Sequence, residues 1–109
     1  MVTDQTLPTV FRLKGELDLA RQIELDAIAA AAAQSEVAIV DMTGVTFLDS
    51  TVLTWLVQTK QALEQKNRQL RITTNEVVSR LLSLAGLEGA IEVVPAESIV
   101  ENAYILGTD

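Results

Sequence analysis

The feature that most constrains this chain is the stretch from Val37 to Leu56, which reads VAIVDMTGVTFLDSTVLTWL. Its first four residues are all apolar, which is typical of a strand covered on both faces. Asp49, Ser50 and Thr51 then precede a segment whose apolar residues recur at helical spacing. The stretch therefore predicts a buried strand, a loop, and a helix whose first residues carry two hydroxyls.

The hydroxyls at this helix start have two interpretations. Ser, Thr and Asp are the residue types that most often cap a helix N-terminus, and capping is the commoner reason to find them there. A helix N-terminus also offers free backbone N–H groups and a favourable dipole to a phosphate. From the residues alone, Ser50 and Thr51 are either part of an ordinary cap or the acceptors of a phosphorylation switch.

Composition narrows the classes of function. The chain has 109 residues, which predicts a single domain spanning 1–109. Hydrophobic residues make up 49% of it but aromatic residues only 4%, so the core is expected to be aliphatic. The absence of Cys and His argues against a thiol nucleophile, a zinc site and the usual neutral-pH base. We therefore expect no enzyme activity, no cofactor and no metal.

Charge and hydropathy indicate the kind of partner. The net charge of −7 disfavours nucleic acid and anionic membranes. It either favours a protein with a basic docking face or only keeps the protein soluble. No run approaches the roughly 18 apolar residues that cross a bilayer. The first ten residues, MVTDQTLPTV, lack the basic and apolar regions of a secretory signal. A cytoplasmic location is the resulting expectation.

Strand and helix patterns alternate along the chain, which predicts an α/β fold with a four- or five-stranded mixed sheet. About four helices are expected, mainly on one face. The predicted strands are Val10–Lys14, Val37–Val40, Leu70–Thr73 and Ile91–Val94; the predicted helices are Leu19–Gln34 after an Asp18 cap, Ser50–Lys66, a short helix capped by Thr74 or Asn75 and ended by Gly86, and Ala96–Leu106.

Hydrophobic spacing predicts which face of each long helix is buried. In the first helix the predicted stripe is Ile23, Ala27, Ala30 and Ala31, with Ile28 beside it. In the second helix the predicted face is Val52, Leu53, Leu56 and Leu63. Trp55 falls on the side of Thr51, away from that face. It is therefore either an exposed anchor for a partner or a side chain packed under residues 43–47.

Three segments of the chain resemble STAS domains. They are GELDL at Gly15–Leu19, VDMTGVTFLDSTVL in the central stretch, and LSLAGLEGAIEVVP near the end. The family comprises the bacterial anti-sigma factor antagonists, and it also forms the cytoplasmic tails of sulphate transporters. The three segments span nearly the whole chain and occur in the family's order.

The resemblance implies a regulatory function. Thr51 aligns with the residue that anti-sigma kinases phosphorylate, with Ser50 as the alternative, and a phosphate there would switch off binding to an anti-sigma factor or serine/threonine kinase. The implied partner-binding residues are Asp18, Asp49, Ser50, Thr51 and Trp55. The alternative function is that of a non-catalytic STAS subunit docking on an ABC-type membrane transport complex.

Two details bear on that expectation. Val52 stands where the family usually has Gly, and a β-branched residue is expected to crowd a kinase approaching Thr51. Asp18, Asp41 and Asp49 are candidates for an acidic pocket at the carboxyl ends of the strands, a place that ligands favour in α/β sheets. Only a hard cation such as Mg²⁺ would suit such carboxylates, and nothing in their spacing requires one. The family's additional first strand would have to lie within residues 1–8.

Overall fold

The computed structural model describes residues 8–96 as one α/β unit with a single sheet. A single 3₁₀ turn at Leu19–Arg21 leads into the first helix. In chain order the elements are β1 (Thr9–Leu17), α1 (Gln22–Ala32), β2 (Val37–Leu48), α2 (Ser50–Gln65), β3 (Gln69–Thr73), α3 (Glu76–Leu84) and β4 (Glu92–Val93).

The strands follow the order β1-β2-β3-β4, and each neighbouring pair is parallel. Because parallel crossovers are right-handed, successive strands added in one direction place all their helices on the same face. Alternate side chains of the strands, such as Leu13, Val40 and Ile72, join that helical layer in one core. The predicted α/β fold is confirmed, although every strand pairing within residues 8–96 is parallel rather than mixed. The predicted first family strand within residues 1–8 and the predicted helix Ala96–Leu106 fall almost entirely outside this range, which reaches only Ala96 of the helix.

The second strand is longer than its sequence predicts. It runs to Leu48, so Asp41 lies within β2 and the prediction that Asp41 ends the strand is wrong. The pairing with β1 slips at two places, and at each one β2 contributes an extra residue. Such bulges bend a strand and interrupt its alternation, which is why TGVTF resembles a loop in sequence. A Cβ at Gly44 would lie 3.1 Å from the Lys14 Cβ, so the first bulge favours glycine.

The Asp41 carboxylate lies on the sheet face opposite the helices. Its Oδ1 accepts hydrogen bonds from the Thr43 N–H at 3.0 Å, the Thr43 hydroxyl at 2.8 Å and the Thr73 hydroxyl at 2.8 Å. Its Oδ2 lies 3.3 Å from the Arg12 guanidinium. Burial alone would raise the pKa of Asp41, but the hydrogen bonds from Thr43 and Thr73, with Arg12, hold the pKa below its usual value. Asp41 therefore connects three strands, and both of its oxygens are engaged within the sheet, so it is not free to bind a metal ion.

The buried face of α1 differs from the predicted one. Leu25 and Ala32 are buried, with Ile28 and Ala29 half-buried beside them. Ile23 is 87% exposed, so the predicted stripe is wrong. The reason is that alanines surround this helix almost completely, so apolar spacing does not distinguish its faces. The predicted stripe residues that lie exposed are Ile23, Ala27, Ala30 and Ala31.

Candidate functional site

The start of α2 is held by Asp49. Its extended backbone precedes the helix, and its side chain accepts a hydrogen bond from the Val52 N–H at 3.1 Å. The Asp49 N–H donates to the Leu17 carbonyl at 3.2 Å, which ties the helix start to the end of β1. Asp49 is therefore the N-cap, and the prediction that Ser50 caps this helix is wrong. The hydroxyls of Ser50 and Thr51 follow the cap and do not form it.

Asn75 fixes the strand that leads to this site. Its side-chain oxygen accepts from the Val78 N–H at 2.8 Å, which confirms it as the cap of α3. Its amide nitrogen donates to the Thr43 carbonyl at 3.0 Å and the Val45 carbonyl at 2.7 Å. These carbonyls lie in the bulged part of β2, where ladder pairing is interrupted. The sequence offers Thr74 or Asn75 as the cap, and it does not predict these bonds to β2, because they depend on the bulges that the sequence pattern does not reveal.

Ser50 is exposed and borders a groove between α2 and the end of α3. The groove encloses about 340 Å³, and its lining is mainly apolar. We call it the apolar groove; it is lined by Ser50, Leu53, Thr54, Val57, Gln58, Ala85 and Leu87.

Thr51 is half-buried and lies on the other side of the helix, facing α1. Here α1 and α2 enclose about 250 Å³ between mostly polar side chains. We call it the polar groove; it is lined by Gln22, Asp26, Thr51, Thr54, Trp55 and Gln58. The two hydroxyls that are adjacent in sequence therefore open into different surroundings.

Trp55 belongs to the core and forms part of the wall of the polar groove. Its side chain is only 5% exposed, so of the two interpretations that the sequence leaves open, the exposed anchor is wrong. The indole N–H finds no acceptor among residues 8–96. The helical wheel failed here because α2 packs on α1 as well as on the sheet, which widens its buried face. That face consists of Val52, Trp55, Leu56, Thr59 and Leu63.

Val52 is fully buried at the first turn of α2. Its side chain points into the core and does not reach the surface on which a kinase would approach Thr51. This burial gives no support to the expectation that Val52 crowds that approach, which stays a prediction for experiment.

The predicted acidic residues are only partly brought together. Asp18 accepts a hydrogen bond from the Ala20 N–H at 3.0 Å, which confirms its capping role at the turn before α1. The bond between Asp49 and Leu17 places Asp18 and Asp49 at the same sheet edge, while Asp41 lies within the sheet. Within residues 8–96 no group of three or more acidic side chains is arranged to hold a metal. The predicted three-residue acidic pocket is therefore wrong. No helix in that range is long and apolar enough to span a membrane.

Solved structures similar to this chain include two anti-sigma factor antagonists and one transporter domain. The chain superposes on an anti-sigma factor antagonist from Mycobacterium paratuberculosis with a TM-score of 0.74 and 23% identity, covering 94% of this chain and 91% of that one. For the unphosphorylated form of the anti-sigma factor antagonist SpoIIAA the TM-score is 0.69 at 22% identity, covering 100% and 95%. The STAS domain of a SulP transporter from Vibrio cholerae gives 0.67 at 20%, covering 85% and 77%.

These likenesses establish the fold. The STAS domain family model matches residues 1–101, so the chain belongs to the STAS domain family. No curated protein sequence matches it.

Proposed function

We propose that this STAS domain is a cytoplasmic regulator that acts in the manner of an anti-sigma factor antagonist. It binds an anti-sigma factor or serine/threonine kinase through the start of α2, and phosphorylation of Thr51 releases it. The domain itself performs no catalysis, and the kinase and its ATP belong to the partner. The observation that carries the proposal is the placement of Ser50 and Thr51 at an Asp-capped helix N-terminus, flanked by two grooves.

The surroundings of Thr51 give the switch its physical cause. A phosphate would add about −1.5 to −2 charge at neutral pH. Asp49 caps the same turn, and Asp26 lines the same groove, so the added charge stands beside two carboxylates. A partner packed against the start of α2 would have to desolvate that charge, which is costly beside two carboxylates. Phosphorylation is therefore an off switch for binding.

One of the similar structures supports the proposal that a domain of this fold can be phosphorylated. It is the Bacillus cell fate determinant SpoIIAA in its phosphorylated form, so a domain of this fold accepts a phosphate. The proposed contact surface comprises Asp18, Asp49, Ser50 and Thr51. Trp55 contributes from within the wall of the polar groove rather than as a protruding anchor.

Affinity capture from the native cell tests the partner. Wild-type protein and Thr51→Glu would be used as parallel baits, followed by identification of the captured proteins. The proposal expects a kinase or anti-sigma factor on the wild-type bait and less of it on Thr51→Glu, which imitates a phosphate only in part. Capture of a transport ATPase would instead support the alternative role as a transporter subunit, for which the fold shared with the SulP transporter domain is the relevant observation.

Phosphopeptide mapping with the captured kinase tests the acceptor. Thr51→Ala should abolish the modification, while the matched variant Ser50→Ala should keep it. Modification that persists in Thr51→Ala and disappears in Ser50→Ala would identify the exposed hydroxyl on the apolar groove as the acceptor instead.

A further inference from the structure

The polar groove is rich in oxygen atoms that accept hydrogen bonds. Asp26 contributes a carboxylate, Thr51 and Thr54 contribute hydroxyls, and Gln22 and Gln58 contribute amide oxygens. One oxygen of Asp26 accepts from the Gln22 amide at 2.8 Å. The other makes no hydrogen bond with residues 8–96. The groove therefore holds more acceptor capacity than its own side chains use.

Within residues 8–96, no Lys or Arg is among the side chains that line this groove. The nearby Arg21 is already engaged, since its Nε lies 2.7 Å from Glu24 and its Nη1 donates to the Glu16 carbonyl at 3.0 Å. The chain as a whole carries a net charge of −7, so a cationic group from another molecule meets a favourable potential.

We propose that the polar groove receives the guanidinium group of an arginine from a protein partner. A guanidinium is a planar set of donors that matches a carboxylate in two parallel hydrogen bonds, and its remaining N–H groups suit hydroxyl and amide oxygens. Arginine fits better than lysine because a compact ammonium cannot make the paired hydrogen bonds.

This inference rests on the proposed function, because it names a contact made by the same partner. Thr51 lines the groove, so a phosphoryl group on its hydroxyl would occupy part of the space that the guanidinium needs. Phosphorylation of Thr51 would therefore change how the groove binds the arginine.

Trp55 makes the test direct, because it is the one tryptophan in the chain. The protein labelled with ¹⁵N would be titrated with N-acetyl-arginine N-methylamide while the single indole N–H resonance is followed. The uncharged isostere N-acetyl-citrulline N-methylamide serves as the matched ligand. The proposal expects a saturable shift with the arginine derivative and none with citrulline. An equal response to both, or no saturable shift, would overturn it.

Two variants localise the effect. Asp26→Asn should weaken binding of the arginine derivative by at least about fivefold, which corresponds to about 1 kcal/mol. Glu36→Gln removes one exposed charge away from the groove and should leave binding unchanged. Equal weakening in both variants would show that only net charge matters and would overturn the assignment to the groove. The titration needs no kinase and no cell extract. If the titration fails, the proposed function still stands; if the affinity capture fails, the titration result still stands.

Discussion

The polar groove and the apolar groove lie on either side of α2, and they differ in the polarity of their linings and in the exposure of their hydroxyls. Thr54 and Gln58, one helical turn apart, line both of them. On the α3 side the lining is mainly apolar and Ser50 is exposed; on the α1 side the lining is polar and Thr51 is half-buried. Successive residues of a helix point about 100° apart, so two adjacent hydroxyls sample both environments. A short motif can therefore serve two surfaces of different chemistry.

The grooves also differ in what supports them. The polar groove includes Trp55, which belongs to the core, whereas the apolar groove rests on Leu53 and Leu87, which are half-buried. Truncating Trp55 should therefore affect folding more than truncating Leu53 or Leu87.

The largest effect is expected from Trp55→Ala. Removing a large buried aromatic side chain should lower the free energy of unfolding by about 3–5 kcal/mol. Leu87→Ala in the apolar groove should cost about 1–2 kcal/mol, because that side chain is only half-buried. Urea denaturation of both variants measures the difference, with Trp55→Phe as a control that retains a ring. Equal losses in the two alanine variants would show that the grooves do not differ in their support.

Val52→Gly is expected to cost about 3 kcal/mol. About 0.8 kcal/mol is lost for each of three buried carbon groups, and glycine in a helix adds about 1 kcal/mol. Val52→Ala, which keeps the helix propensity, should cost about 1.5 kcal/mol. Since Val52 does not reach either groove, the rate of Thr51 phosphorylation per folded molecule should not change. A clear acceleration in Val52→Gly, measured with purified kinase, would mean that the side chain obstructs the kinase after all.

Two acidic side chains, Asp26 and Asp41, differ in how many partners hold them, and this difference can be tested by changing the pH. Asp26 in the polar groove makes one hydrogen bond to Gln22, whereas Asp41 is held by Thr43, Thr73 and Arg12. The folded pKa of Asp41 lies below its usual value, so its stabilisation is complete above about pH 4 and is lost as pH falls through the folded pKa.

Thermal melts at several pH values measure this effect. The stability difference between wild type and Asp41→Asn should shrink below about pH 4. At neutral pH, Asp26→Asn should change stability by no more than about 0.5 kcal/mol. A difference for Asp41→Asn that stays constant with pH would show that its carboxylate is not preferentially stabilised in the folded chain.

Sequence patterns predicted the order of strands and helices well, because runs of buried residues and helix caps are local signals. Asp18 is predicted correctly as a cap, and Asn75 is one of the two cap candidates that the sequence offers, because these residue types and positions favour capping. Ile23 is predicted wrongly as buried, and Trp55 is left open between surface and core, because the buried face of a helix depends on how it meets its neighbour. The course of β2 beyond Asp41 was missed because bulges remove the alternation by which a strand is recognised.

The smallest effect distinguishes the cap from the hydroxyl beside it. Asp49→Ala should lower the free energy of unfolding by about 1 kcal/mol, because the Val52 N–H loses its side-chain acceptor. Ser50→Ala should change it by no more than about 0.5 kcal/mol, because Ser50 is exposed and follows the cap. Urea denaturation of the two variants under identical conditions gives the comparison. If Ser50→Ala cost as much as Asp49→Ala, the serine hydroxyl would be part of the helix cap. It would then not be free to line the apolar groove, and the division of the two hydroxyls between two grooves would fail.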